Sequence, residues 1–377
     1  MNAMGRPSPR RHLNLMRAAI VAAIGAQHVD AQMAGLRTER LADGVYAIVR
    51  TTRPQDPSDA NTLVIINEAD VVVVDGNITP QSTRAVIREI RQLTSKPVRY
   101  VIITHAHSDH HTGNIEYRRA WPEVEFVAHE NTYREIRDDD VVSFRRNVSK
   151  VYPEEITRLR GVLARGTRAD GSALPPAERA QAQSTIDAME YFIAEASTFE
   201  PIPPTLTFGD SLVLHRGTRL IVLRHLGHGN TRGDVVVHLP NEGVLATGDL
   251  VVSPIPFAFG SFPLAWASTL DRLRALPATI IMPGHGEPMR DWAYVDELRA
   301  LMCATVREGI AAAAATTPVD SVVSRLSLGA HVEHFAAGDS IRARAMRGTF
   351  IRPAIEGLRG ELRAAPGAAV PPSCVGR

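Results

Sequence analysis

The run Thr104-His105-Ala106-His107-Ser108-Asp109-His110 directly follows a short apolar stretch and sets three imidazoles and one carboxylate close together. A strand that ends there and releases a tight loop turns side chains at alternate and adjacent positions toward one point. Imidazole nitrogens and a carboxylate oxygen gathered at one point are ligands for a divalent metal. Three further residues occupy equivalent places: His228 follows the apolar run 220–223, Asp249 follows 244–247 through Gly248, and His285 follows 280–282 through Pro283-Gly284. Gly227, Gly229, Gly248, Gly284 and Gly286 flank them, as expected where the backbone turns sharply to aim a ligand. His111 is read as a non-ligand.

The elements that must position these residues alternate between strand and helix patterns. Short β-branched runs at 45–49 (VYAIV), 63–66 (LVII) and 71–74 (VVVV), separated by turn residues, read as adjacent strands. Val86, Ile87, Ile90 and Leu93 have helical spacing, and Lys96-Pro97 leads from that helix into a strand over 99–104. Between 130 and 200 charge and alanine increase. Helical spacing there at Ile156, Leu159, Val162, Leu163 and at Ile186, Met189, Phe192, Ile193, broken by a polar loop over 166–176, reads as a helical insertion. Strand-like runs resume at 211–214, 220–223, 235–239, 243–246 and 279–282. The segment 253–266 (SPIPFAFGSFPLAW) reads as a loop over a pocket; Phe257, Phe259, Phe262 and Trp266 either line that pocket or pack under the next helix. Helices are expected over 269–276 and 294–315, and disorder over the Pro/Ala/Gly-rich 363–377.

Composition narrows the class. A chain of 377 residues, 44% hydrophobic and 22% charged, can bury a full core. Lys+Arg 42 against Asp+Glu 41 leaves a net charge of +1, without the basic excess of a protein that coats nucleic acid or an anionic membrane. The expected partner is a small-molecule substrate, not nucleic acid. No apolar run reaches the roughly 18 residues of a membrane span. Cys303 and Cys374 read as neither a disulfide framework nor a zinc module. Arg6, Arg10, Arg11 and Arg17 precede the apolar run 18–26 and then Val29-Asp30-Ala31. That is the form of a signal peptide over 1–31, implying a periplasmic or secreted protein; the alternative is an extension of a cytoplasmic one, with Met4 or Met16 as start. No Gly-x-Ser-x-Gly elbow, Walker loop or dinucleotide fingerprint occurs.

Taken in order, His105-Ala106-His107-Ser108-Asp109-His110, Gly227-His228 with Gly233-Asp234, Thr247-Gly248-Asp249 and Pro283-Gly284-His285-Gly286 resemble the metallo-β-lactamase superfamily over about residues 36 to 288. The resemblance implies an α/β fold, a four-layer αββα sandwich with two metals at the rim between the sheets. The catalytic domain would span 36–290, with the insertion at 130–200 and a C-terminal helical extension over 291–362. Carried over residue by residue, His105, His107 and His228 would hold the first metal, Asp109, His110 and His285 the second, and Asp249 would bridge. Five imidazoles and two carboxylates without a thiolate suit zinc, two per chain, with iron or manganese as alternatives. Asp75 and Asp234 are candidates either to fix a ligand histidine's tautomer or to cap local turns.

The implied chemistry is attack by a metal-bridged hydroxide on the carbonyl of an ester, lactone, thioester or β-lactam, with a phosphoryl or sulfuryl centre as the lesser alternative, and with Asp109 orienting the water and carrying a proton. Zinc β-lactamases carry Cys or Ser where this chain has Asp249, whereas glyoxalase II-like thioesterases and lactonases carry Asp. Mononuclear iron persulfide dioxygenases and nucleases or phosphodiesterases resemble the same superfamily and remain the alternatives. Oligomeric state is not legible.

Overall fold

Val71–Val74 are four consecutive buried valines, which requires that both faces of their strand be covered. The computed structural model describes residues 35–50, 59–168, 170–196, 201–313 and 318–375, and the expected signal peptide lies outside them. Seven strands form one sheet in chain order: β1 (Leu36–Ala42), β2 (Val45–Arg50), β3 (Thr62–Ile66), β4 (Val71–Val74), β5 (Val98–Ile102), β6 (Glu125–His129) and β7 (Leu206–Phe208). The first four pair antiparallel, and β4 to β7 pair parallel. A second sheet runs in the order β12-β11-β10-β9-β8, from β8 (Ser211–Arg216), β9 (Arg219–His225), β10 (Val235–Leu239), β11 (Val244–Val252) and β12 (Ile280–His285). Within it only β11 and β12 pair parallel.

Side-chain alternation separates the layers. Val72, Val74, Ile102 and Val127 meet Leu223, Val235, Val237 and Met282 between the sheets. Val71, Val73 and Val101 point the other way, onto Val86, Ile87 and Ile90 of the helix Pro80–Leu93. On the far side, Val236, Leu245 and Val251 pack with Leu270 of the helix Pro263–Arg274 and with Leu298 and Leu301 of the helix Ala293–Ala313. The result is the expected αββα order.

Local chemistry moved several boundaries. The first helix starts at Pro80, before the expected apolar spacing, because Thr79 and Ser82 cap each other's backbone and proline suits the first turn. Strands β6 and β7 escaped the sequence reading; β7, at three residues, is too short to show a period. Asp249 lies inside β11 rather than beyond it, and the pairing with β12 shifts register between Ala246 and Gly248. The loop expected over 253–266 stops at Phe262, because Pro263 opens a helix in which Trp266 is fully buried.

Between 130 and 196 the described residues are largely helical, as the spacing suggests. Consecutive helical segments run from Glu130 to Arg165, with π-helical stretches at Ile136–Asp140 and Asn147–Val151, and the helix Pro176–Ala196 returns alongside. Tyr152, Ile156, Ile186, Met189 and Phe192 form a small core that docks on Ile78. Among the described residues no helix is long and apolar enough to cross a membrane.

Two expectations for the C-terminus fail. The helix Arg352–Ala364 leads to a short 3-10 turn at Pro372–Cys374, and Cys374 is buried in a disulfide with Cys303. Arg307 also donates to the Cys374 carbonyl at 3.0 Å. Composition counts residues that favour disorder and has no means to register a crosslink spanning 71 positions. Such a crosslink removes chain entropy mainly from the unfolded state, typically by about 2–4 kcal/mol. Cys374→Ala should lower the denaturant-measured unfolding free energy by about that much; an unchanged midpoint would show that the bridge contributes nothing.

Candidate metal centre

The positioning starts at Asp75, just past β4, where a positive φ of 67° turns the carboxylate across to the end of β5. Its Oδ1 accepts the Thr104 backbone N–H at 2.9 Å, and its Oδ2 accepts the Thr104 hydroxyl at 2.9 Å. Asp75 Oδ2 also lies 2.8 Å from His110 Nδ1. A carboxylate can only accept, so His110 carries its proton on Nδ1 and leaves the Nε2 lone pair free. Because the Thr104 hydroxyl donates to Asp75, it accepts from His105 Nδ1 at 3.0 Å. His105 thus also presents Nε2. One carboxylate sets both tautomers, directly for His110 and through Thr104 for His105.

The two freed nitrogens face Asp249. His105 Nε2 stands 3.7 Å from Asp249 Oδ2, and His110 Nε2 stands 3.4 Å from Asp249 Oδ1. His285 Nε2 lies 3.0 Å from Asp109 Oδ2 and 3.6 Å from Asp249 Oδ1. His105, His110 and Asp249 form one group, and Asp109, His110 and His285 another, each with ligand atoms within 4.8 Å of one another and all five residues buried. His105 Nε2, His110 Nε2 and Asp249 Oδ1 are fully enclosed and have no hydrogen-bond partner in the protein. Converging orphan lone pairs are what a cation would satisfy, so the residues fit the divalent metal that the sequence implies.

The buried acids and bases at this centre shift one another. Burial and the surrounding His110, His107 and His285 hold His105 well below the ordinary imidazole range, hence neutral. Burial opposes ionisation of Asp109, yet the imidazoles of His110 and His285 keep its carboxyl below the usual range. Burial likewise works against protonated His110, but Asp75, Asp109 and Asp249 outweigh it and raise that imidazole well above its ordinary value.

The other expected residues are less tightly gathered. His107 is half-buried, its ring 4.7 Å from that of His105. The His228 ring lies 5.1 Å from Phe262 and 6.1 Å from His225, and burial with the neighbouring His225 lowers its pKa. Neither His107 nor His228 falls within the two compact groups. Asp234 takes the turn-capping role: its Oδ2 accepts the backbone N–H groups of Gly229 at 3.1 Å and Thr231 at 2.8 Å. That fixes the turn carrying His228.

Two contributors escaped the sequence reading. Thr104 stands in the sequence only as the first residue of the histidine run, and its relay between Asp75 and His105 depends on a hydroxyl whose partner lies just past another strand. Buried Asn230 donates from Nδ2 to Asp249 Oδ2 at 3.4 Å; its place two residues after His228 was the available signal. Gly284 is dictated by contact, since a Cβ there would stand 2.0 Å from Asp249 Oδ1.

A two-sheet αββα sandwich with such a site defines a class. The chain belongs to the metallo-beta-lactamase superfamily, whose family model matches residues 56–285. A linear primary-alkylsulfatase of Pseudomonas sp. (strain ATCC 19151) is 25% identical over 246 residues, 60% of this chain and 42% of that protein. The chain therefore spans less than half the length of this curated relative. Among solved structures, DIM-1 metallo-beta-lactamase aligns with a TM-score of 0.47 and 19% identity over 71% of this chain and 96% of its own. A metallo-beta-lactamase from Pontibacter korlensis aligns with a TM-score of 0.48 and 16% identity over 71% and 98%.

Removing the Asp75 carboxylate should loosen the histidines without touching their ring nitrogens. Asp75→Asn is expected to weaken zinc binding about 10- to 100-fold in competition with a chromophoric chelator. Affinity equal to that of the unaltered protein would refute the relay.

Proposed function

We propose that the protein hydrolyses the ester bond of a small molecule with two divalent cations, zinc by default. Asp109, His110 and His285 would hold one cation, His105 with His107 and His228 the other, and Asp249 would be shared. The observation that carries this reading is the convergence of the orphan atoms His105 Nε2, His110 Nε2 and Asp249 Oδ1 beside the Asp109–His285 pair. The catalytic unit would span 36–290, with the helices over 291–362 as an extension.

When bound, the cations supply Lewis acidity and a water that is nucleophilic near neutral pH. The protein's own groups do the rest. Asp109 accepts a hydrogen bond from the attacking water, takes its proton, and returns it to the departing alkoxide. Asn230 steadies Asp249 on its other oxygen. The ester and one water become an acid and an alcohol, with no residue covalently modified.

A carbonyl ester, lactone or thioester is the first substrate reading, since Asp rather than Cys or Ser at 249 disfavours β-lactams. A sulfate ester is the second, favoured by the alkylsulfatase relative. The near-neutral charge argues against nucleic acid. The buried Cys303–Cys374 bridge supports export, because disulfides persist in oxidising compartments.

Metal-loaded protein should hydrolyse chromogenic esters or alkyl sulfates, lose that activity with chelator and regain it with zinc. Two zinc ions per chain are expected from elemental analysis, whereas a single iron would favour the dioxygenase reading. Asp109→Asn should lower kcat by about 10²- to 10⁴-fold. If the metal-loaded protein cleaves no carbonyl or sulfate ester, the hydrolase assignment is wrong. A mature N-terminus at Met1 after expression in a bacterial host would contradict export.

A further inference from the structure

In the loop over residues 253–262, buried residues alternate with half-buried phenylalanines. Ile255, Ala258 and Ser261 are buried, while Phe257, Phe259 and Phe262 are half-buried. Trp266, just beyond, lies wholly in the core. The half-exposed rings adjoin the candidate metal centre: Phe257 stands edge-on to His285 at 6.1 Å, Phe259 lies 6.3 Å from Phe257, and Phe262 is 5.1 Å from His228. The Arg232 guanidinium lies 5.2 Å from the Phe262 ring, and Phe257 packs partly on the outer core. The apolar surface these rings still leave facing water is unfavourable, and a fold can retain it at a site where a ligand covers it.

The loop is braced from both sides. Ser253 N–H donates to the His285 carbonyl at 3.1 Å, and Phe262 N–H to the Gly229 carbonyl at 2.8 Å. The other braces come from the C-terminal segment. Ala258 N–H donates to the Thr349 carbonyl at 2.9 Å. The Glu361 carboxylate accepts from Leu264 and Ala265 N–H at 2.8 and 3.1 Å, holding the start of the helix that ends the loop. Gly357 lies so close that a Cβ would stand 2.3 Å from the Ser261 carbonyl oxygen.

We propose that Phe257, Phe259 and Phe262 form a preset wall that takes the carbon-chain part of the substrate, and that the helix Arg352–Ala364 positions it through Gly357 and Glu361. The proposal rests on the hydrolase reading for the identity of the site, but its occupant follows from the apolar rings. A rigid wall binds without the ordering cost of a mobile lid. Each methylene laid against it adds affinity of about fourfold, the equivalent of about 0.8 kcal/mol.

The test is calorimetric titration of the metal-loaded full chain with butanoate, octanoate and dodecanoate below their micellar concentrations, repeated after chelation. In the unaltered protein affinity should rise with chain length. Phe257→Ala and Phe262→Ala should each cut the dodecanoate-to-butanoate affinity ratio at least tenfold. Gly357→Ala and Glu361→Gln, which touch neither ring nor metal ligand, should lower the same ratio while circular dichroism stays unchanged. An equal ratio in all variants overturns the wall. A ratio that falls only in the phenylalanine variants overturns the positioning role of the C-terminal helix. If no ester is cleaved but the ratio behaves as described, the hydrolase reading fails and the wall stands; cleavage with an unchanged ratio is the reverse.

Discussion

Everything in this molecule is arranged around buried charge that the protein alone cannot neutralise well. Asp75, Asp109, Asp249, His105, His110 and His285 are all buried, and several of their polar atoms lack partners. Taking even one ion out of water costs several kcal/mol unless opposite charge and hydrogen bonds compensate. The raised His110 and His285 and the lowered Asp109 show the compensation reached by protons alone, through imidazolium–carboxylate pairing. A divalent cation offers more charge at the same centre and satisfies the atoms that protons leave orphaned. The rest of the fold can be understood as the scaffold that makes this concentration of charge tolerable.

That scaffold works because the ends of buried strands are rigid. The four-valine run of β4 and its neighbours are covered on both faces, so the positions that follow them cannot drift. Asp75 follows β4, His105 follows β5, and β11 and β12 carry Asp249 and His285 from the other sheet. The centre therefore sits where the two sheets, packed on each other through a shared core, meet. Rotational freedom left to the imidazoles is removed by the Asp75–Thr104 relay.

The C-terminal helices extend the same logic outward. They share the outer core with the helix Pro263–Arg274, are tied to the helix Ala293–Ala313 by a disulfide, and reach the loop beside His285. Tyr294 adds a bond from its hydroxyl to the Val252 carbonyl at the end of β11. A segment distant in sequence thus borders the centre without contributing a ligand to it. The helical segments that begin at Glu130 reach the same neighbourhood, where Thr132 donates to the Gly233 carbonyl and Arg232 pairs with Glu135.

Sequence alone determined the parts that depend on residue type and short spacing. The His105 to His110 run as a candidate ligand set, the β-branched strands and the helical spacing at Ile156 to Leu163 and Ile186 to Ile193 were legible, because side-chain chemistry and period are local properties. Tertiary structure alone decided which candidates converge. It drew His105, Asp109, His110, Asp249 and His285 together, left His107 and His228 outside the compact groups, and gave Asp75 and Asp234, alike on paper, different tasks. It also paired Cys303 with Cys374 and buried Trp266 while leaving Phe257 and Phe262 half-open. Each of these outcomes turns on a distance between residues far apart in the chain, and such distances are set by how sheets and helices pack, which no local pattern encodes.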